Sequence, residues 1–168
     1  MSTVSKAAVT ILFALFPGSA PVFGAEVAGW VETVQIYPGG VALAAKLDTG
    51  ARLTSLHCKC VRLFARNGEK WVSVKLEGAD GRVVSFERKV VRTTAIKRHY
   101  GKPQQRFVIK LGVCLKHVYK RVEVNVVDRA GFEYPMLIGR NFLAGGFLID
   151  SGITRTGGPN CSDVPESD

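Results

Sequence analysis

From residue 30 onward no segment sustains helical spacing of its apolar residues; short β-branched and aromatic runs alternate instead with turn residues. A chain patterned this way is expected to fold as an all-β domain. The runs fall at 30–36, 41–47, 71–76, 83–87, 107–111 and 122–127. Turn signals separate them: Pro38-Gly39-Gly40, Asn67-Gly68, Asp80-Gly81, Gly101 with Pro103, and Ala130-Gly131. Residues 71–86 read as one hairpin, because two alternating strands flank the connection Glu77-Gly78-Ala79-Asp80-Gly81. A single short helix is expected from Arg140, where Gly139-Arg140-Asn141-Phe142-Leu143-Ala144 runs into the stop Gly145-Gly146.

The ends of the chain differ from this middle. Lys6 precedes an apolar run over residues 7–16, Pro17 and Gly18 break it, and small residues follow to Ala25, which is the order of a secretory signal peptide. The run is about half of the roughly 20 residues a membrane span needs. Residues 1–24 are therefore expected to be removed, giving a mature start at Ala25 or Glu26, an exported or periplasmic protein and no stable membrane insertion. Residues 25–156 then form one domain, for which 168 residues with 46% hydrophobic content supply enough core. Residues 157–168, rich in Gly, Pro, Ser and acids, read as a loose tail unless Cys161 pins it. Export allows disulfides among Cys58, Cys60, Cys114 and Cys161. Cys58 and Cys60 are too close in sequence for an easy mutual bridge, so each is expected to pair with Cys114 or Cys161.

The formal charge is +9. Much of the excess lies in Arg82, Arg88, Lys89, Arg92, Lys97, Arg98, Lys102 and Arg106, a segment whose plain reading is a solvated face and whose functional reading is a grip on an anionic partner. No nucleic-acid motif accompanies it, so no nucleic-acid partner is expected.

The string that carries chemistry is Ala45-Lys46-Leu47-Asp48-Thr49-Gly50-Ala51, an apolar strand delivering an acid, a small hydroxyl residue and a glycine into a turn. Alone it also fits an ordinary Asx turn. Ninety residues later Pro135-Met136-Leu137-Ile138-Gly139-Arg140-Asn141-Phe142-Leu143 pairs an apolar strand with glycine and a short helix. Together, and in this order, the two strings resemble the retroviral-type aspartic proteases. The resemblance runs over residues 29–150, through Gly29-Trp30-Val31-Glu32, Thr54-Ser55-Leu56-His57, Val127-Asp128-Arg129 and residues 134–143. It is closer to a bacterial group of retropepsin-like proteins labelled ATP-dependent zinc proteases.

That resemblance implies a retropepsin-like acid-protease barrel with a flap hairpin and one short C-terminal helix. It further implies an aspartic endopeptidase with Asp48, Thr49 and Gly50 at the catalytic centre, and Ile138, Gly139 and Arg140 supporting it. Ala51 would wall the site, and Glu77, Gly78, Ala79, Asp80 and Gly81 would close over a peptide substrate as the flap. Two carboxylates about 3 Å apart cannot both ionise cheaply, so they share a proton; one activates water while the other polarises the scissile carbonyl. The chain holds one Asp-Thr-Gly, so a second Asp48 must come from a homodimer partner. Arg52 stands where many relatives have an acid, leaving Asp128, Glu133 and Asp150 as candidate partners for Arg140.

Other chemistries have weaker footing. There is no His-Glu-x-x-His pair and no phosphate-cradling glycine loop with lysine, so neither metal nor nucleotide cofactor is expected. His57 and Cys58, adjacent on a strand, point to opposite faces and do not make a cysteine nucleophile with its base. The basic segment favours an acidic peptide or other anionic substrate. The alternative from another class is a non-catalytic dimeric envelope module that uses the same fold and the basic face to hold an anionic partner.

Overall fold

The structure, a computed structural model, describes residues 24–58, 62–96 and 103–165. Residues 1–23 of the expected signal segment, Cys60, Gly101 and the basic residues Lys97, Arg98 and Lys102 lie outside the described residues. Eleven strands and one helix follow in order: β1 (Glu26–Tyr37), β2 (Val41–Leu47), β3 (Thr54–His57), β4 (Arg62–Arg66), β5 (Glu69–Glu77), β6 (Val83–Lys89), β7 (Arg92–Ile96), β8 (Gln104–Leu115), β9 (Val118–Val127), β10 (Met136–Ile138), α1 (Arg140–Leu143) and β11 (Phe147–Thr154). The all-β, retropepsin-like barrel with one short helix expected from the sequence is what forms.

The larger sheet runs β11-β1-β2-β10-β3-β9-β8-β7, and a further β1–β8 pairing closes six of these strands into a barrel. Closure requires β1 to serve three neighbours. Its first residues pair parallel with β11, its middle antiparallel with β2, and Val34–Tyr37 with β8. The barrel interior is filled by β-branched and aliphatic side chains, among them Val34, Ile36, Leu43, Ala45, Leu56, Ile109, Leu111, Val124 and Ile138. Burying one such side chain contributes about 1.5–3 kcal/mol, which is why the period-2 pattern fixes the inward face. β4, β5 and β6 form a separate three-stranded sheet, whose Val72, Val74 and Leu76 pack on the barrel core.

Strand β2 and the β5–β6 hairpin match their sequence expectation closely, since both have clean alternation and strong turns. Asn67 and Gly68 take positive φ between β4 and β5, as an Asn-Gly hairpin turn requires. Strand β11 was not anticipated. Its residues Asp150, Ser151 and Gly152 lack β propensity, and parallel pairing with β1 supplies what local preference does not.

The disulfide expectation needs correction. Cys114 is bonded to Cys161, whereas Cys58 is a buried free thiol at the end of β3. The β8–β9 turn carries Cys114 to the returning tail, while Cys58 donates its backbone N–H to Val127 and faces the core. The tail is held by its cysteine and also by Asn160, whose N–H donates to the Lys116 carbonyl at 2.6 Å. Upstream, Thr156 donates its N–H to the fully buried carboxylate of Glu32, which also accepts from Gly29 at 2.7 Å.

Candidate active site

Asp48 follows the last residue of β2, and its position is set by the strand it leaves. Its N–H donates to the Ile138 carbonyl at 2.8 Å, extending the parallel β2–β10 ladder by one bond. The chain then folds back on the aspartate. Gly50 and Ala51 donate their N–H groups to Asp48 Oδ1 at 2.9 and 3.0 Å, which is the Asx-type turn the string suggested. The half-buried carboxylate therefore has one oxygen fixed by two backbone donors.

The Gly139-Arg140-Asn141 string secures this loop from below. The helix α1 has no side-chain cap; its first N–H groups, on Arg140 and Asn141, donate instead to the Ala51 and Arg52 carbonyls at 2.8 and 3.1 Å. Arg140 Nη1 donates to the carbonyls of Thr49 and Gly50 at 2.9 and 2.7 Å. Its partners are thus backbone oxygens, while Asp128, Glu133 and Asp150 are engaged with Ala130, Tyr134 and Gly152. Asn141 Oδ1 accepts from both the N–H and the hydroxyl of Thr54, and its amide donates to the Glu123 carbonyl at 2.8 Å. Gly139 is required by space: a Cβ there would lie 2.8 Å from the Leu53 carbonyl carbon and 3.0 Å from the Ala51 oxygen. Ile138 is fully buried beside it. Thr49 is exposed, and its carbonyl, not its hydroxyl, is the group that the single chain holds.

Two cavities adjoin this loop. One, of about 350 Å³, is lined by Asp48 with Trp30, Lys46, Arg129, Phe132 and Tyr134. The other, of about 390 Å³, includes Ala51, Thr94, Ile96, Arg106, Asn125 and Arg129. Arg129 is common to both. It is buried, its Nε donates to the Tyr134 carbonyl at 3.3 Å, and its guanidinium lies 4.3 Å over the Phe132 ring. Burial, and then the charge of Arg106, hold its pKa below the ordinary arginine value, with Asp48 pulling the other way. Arg106 is anchored through Asn125 Oδ1 at 3.1 Å, and Asn125 reaches the Thr54 carbonyl at 2.8 Å, so the basic wall and the Asp48 loop share one hydrogen-bond network.

The structure brings Asp48, Thr49, Gly50, Ala51, Ile138, Gly139 and Arg140 together. It does not bring Glu77, Gly78, Ala79, Asp80 and Gly81 to them. Ala79 donates its N–H to the Ala42 carbonyl at 3.0 Å, and Gly78 abuts Val41. That is the opposite end of β2, six residues or roughly 20 Å back along the strand from Asp48. The hairpin was read correctly as a hairpin, and its apolar face takes it elsewhere. The strands that do flank the site are β7 and β8, through Thr94, Ala95, Ile96 and Arg106. Arg106 belongs to the basic segment whose plain reading was a solvated face, and Arg129 sits in the Val127-Asp128-Arg129 string. Neither had been read as a site residue, because charge along the sequence does not say which residue turns inward.

Zinc does not fit this arrangement. Asp48 Oδ1 is taken up by two backbone N–H donors, its cavity offers Glu133 as the one further carboxylate beside the cations of Lys46 and Arg129, and among the described residues no cluster of three His, Cys, Asp or Glu is placed to hold a metal.

Known proteins agree with the fold. A crystal structure of Lpg0085, a Legionella pneumophila protein of unknown function, is similar at 28% identity and a TM-score of 0.68, covering 79% of this chain and 98% of that one. Proteins named "Probable alpha-L-glutamate ligase" from Shewanella pealeana and Shewanella halifaxensis are 34% and 33% identical over 67% of this chain. The chain spans 25% of the length of these relatives, and their name is a ligase name, not the zinc protease label. The family model described as RimB-like, retropepsin-like aspartic endopeptidase RimB, matches residues 27–158, and the chain belongs to that family.

Proposed function

We propose that this protein is an aspartic endopeptidase that acts as a homodimer on peptides rich in carboxylate side chains. The observation that carries the reading is the Asp48 carboxylate, fixed through Oδ1 by Gly50 and Ala51 and set at the mouth of a cavity that it shares with Arg129. A second Asp48 from the partner copy completes the pair. In the shared-proton state one carboxylate takes a proton from water as it attacks the scissile carbonyl carbon, and the protonated one donates to the carbonyl oxygen. The resulting tetrahedral intermediate collapses when the leaving amine receives a proton from the pair. Backbone donors at Oδ1 hold the plane of the carboxylate, so water meets a preoriented base.

Acidic substrates are favoured by the positive charge of Arg106 and Arg129, which both line the cavity beside Ala51. The relatives named for glutamate ligation point the same way, since they join a matching segment to an activity on glutamate. The Cys114–Cys161 bond supports an oxidising compartment and hence the export expected from residues 1–24.

The test incubates purified protein and its Asp48→Asn variant with glutamate-rich, neutral and lysine-rich peptides from about pH 4 to 7, the span in which such a carboxylate pair holds one proton. Products are read by mass spectrometry and the oligomeric state by light scattering. Cleavage of the glutamate-rich peptide by the wild type alone, by a dimer, is the expected result. Silence from both proteins as folded dimers would favour the binding module instead.

A further inference from the structure

We infer that His57 is a positioning residue for the Asp48 site, and that its protonation withdraws the support it gives, setting the acid limit of the site's working range. This inference deepens the peptidase reading and rests on it.

His57 ends β3, where its N–H donates to the Pro135 carbonyl at 2.7 Å and its neighbour across the ladder is Val127, the last residue of β9. Beyond Val127 the chain leaves the sheet. The N–H of the buried Arg129 therefore has no strand to pair with, and it donates to Nδ1 of His57 at 2.7 Å. A ring nitrogen that accepts a hydrogen bond carries no proton, so the neutral imidazole is protonated at Nε2. One nitrogen thus holds the start of segment 129–134, and that segment supplies Arg129, Phe132, Glu133 and Tyr134 to the cavity containing Asp48. His57 does not line that cavity. It borders a separate cleft between the barrel and the three-stranded sheet, so it acts on the site through Arg129.

When the ring takes a second proton, Nδ1 turns from acceptor to donor and faces the Arg129 N–H, donor against donor. The buried Arg129 backbone then loses its partner and the wall it anchors shifts. Charged and titratable groups also face the ring. Asp128 Oδ1 lies 3.7 Å from Nδ1, is well exposed and also accepts from Ala130. Across the cleft β5 presents Lys75 and Glu77. From the neighbouring strand β10, Met136, Leu137 and Ile138 add no charge.

The test compares His57→Asn with His57→Ala. An asparagine Oδ1 accepts near the place of Nδ1 but does not titrate in this range, whereas alanine removes the acceptor. The wild-type profile of kcat/KM against pH is expected to fall on the acid side with the midpoint at which NMR sees the His57 ring titrate in the same dimer. His57→Asn should keep kcat/KM near neutral pH within about threefold and lose that limb, while His57→Ala should lose about tenfold or more at every pH. An acid limb unchanged in His57→Asn would overturn the inference. Hydrogen exchange of the Arg129 amide gives a readout that needs no catalysis: protected above the His57 midpoint, unprotected below it, and protected throughout in His57→Asn. Exchange that ignores the His57 titration overturns the inference even in an active enzyme. Exchange that follows it, in a dimer that cleaves none of the peptides, would instead reject the peptidase reading and confirm the hydrogen-bond switch.

Discussion

The β5–β6 hairpin packs on the barrel and the β7–β8 pair shares strand β8 with it; both are antiparallel, yet they attend to opposite ends of the barrel. The first carries the better turn, with Gly78 and Gly81 around Ala79 and Asp80, and an apolar face of Val72, Val74 and Leu76. That face docks its tip on Val41 and Ala42, where β2 begins. The second carries Thr94, Ala95 and Ile96 and reaches the cavity beside Ala51, where β2 has delivered its aspartate. Turn chemistry decides that a hairpin exists; its docking depends on which core surface its buried stripe fits. The end with the weaker local signal is the one beside the carboxylate.

This comparison is sharpest where a substitution should matter at one end and not at the other. The largest effect is expected from Asp48→Asn, which keeps an oxygen for Gly50 and Ala51 but removes the base. Turnover should fall by about a thousandfold or more with the melting temperature unchanged. Cys161→Ser opens a bond that spans 47 residues of sequence. It should cost about 4 kcal/mol in a denaturant titration, while the folded fraction keeps its kcat, because Cys114 lies at the end of β8 away from Arg106. Gly139→Ala drives a Cβ into the Ala51 and Leu53 backbone. A loss of roughly 3 kcal/mol is expected, with a matching drop in turnover since the Asp48 loop must move. Gly81→Ala meets no atom within 4 Å and pays only for its φ of +77°. That is about 1 kcal/mol, with turnover unaltered. A large loss of turnover in Gly81→Ala would mean that the β5–β6 tip does serve the site after all.

Much of the site was legible because it is local. Asp48, Gly50 and Ala51 form one turn, and Gly139 to Asn141 form one strand-to-helix corner, so each string announces its own geometry. The junction between them was legible only through the resemblance, since nothing in either string says that Arg140 will donate to the carbonyls of Thr49 and Gly50. The rest depends on long-range placement. Arg106 reaches the site because the β8–β9 register puts Val108 opposite Asn125, and Arg129 because a histidine 72 residues earlier accepts its N–H. Cys114 meets Cys161 because the chain beyond β11 reaches the β8–β9 turn, where Asn160 donates its N–H to the Lys116 carbonyl. Pairings of this kind have no signature in composition or spacing.

Subunit mixing tests the central claim, a site completed by two copies of Asp48, most directly. Wild-type protein is equilibrated with a ninefold excess of Asp48→Asn chains until the subunits exchange, and cleavage is expressed per wild-type chain. If both carboxylates are needed, activity per wild-type chain should fall about tenfold, because nearly every wild-type subunit then has an inactive partner. Activity that stays constant through the mixing would mean that each chain carries a complete site of its own, and would contradict the account.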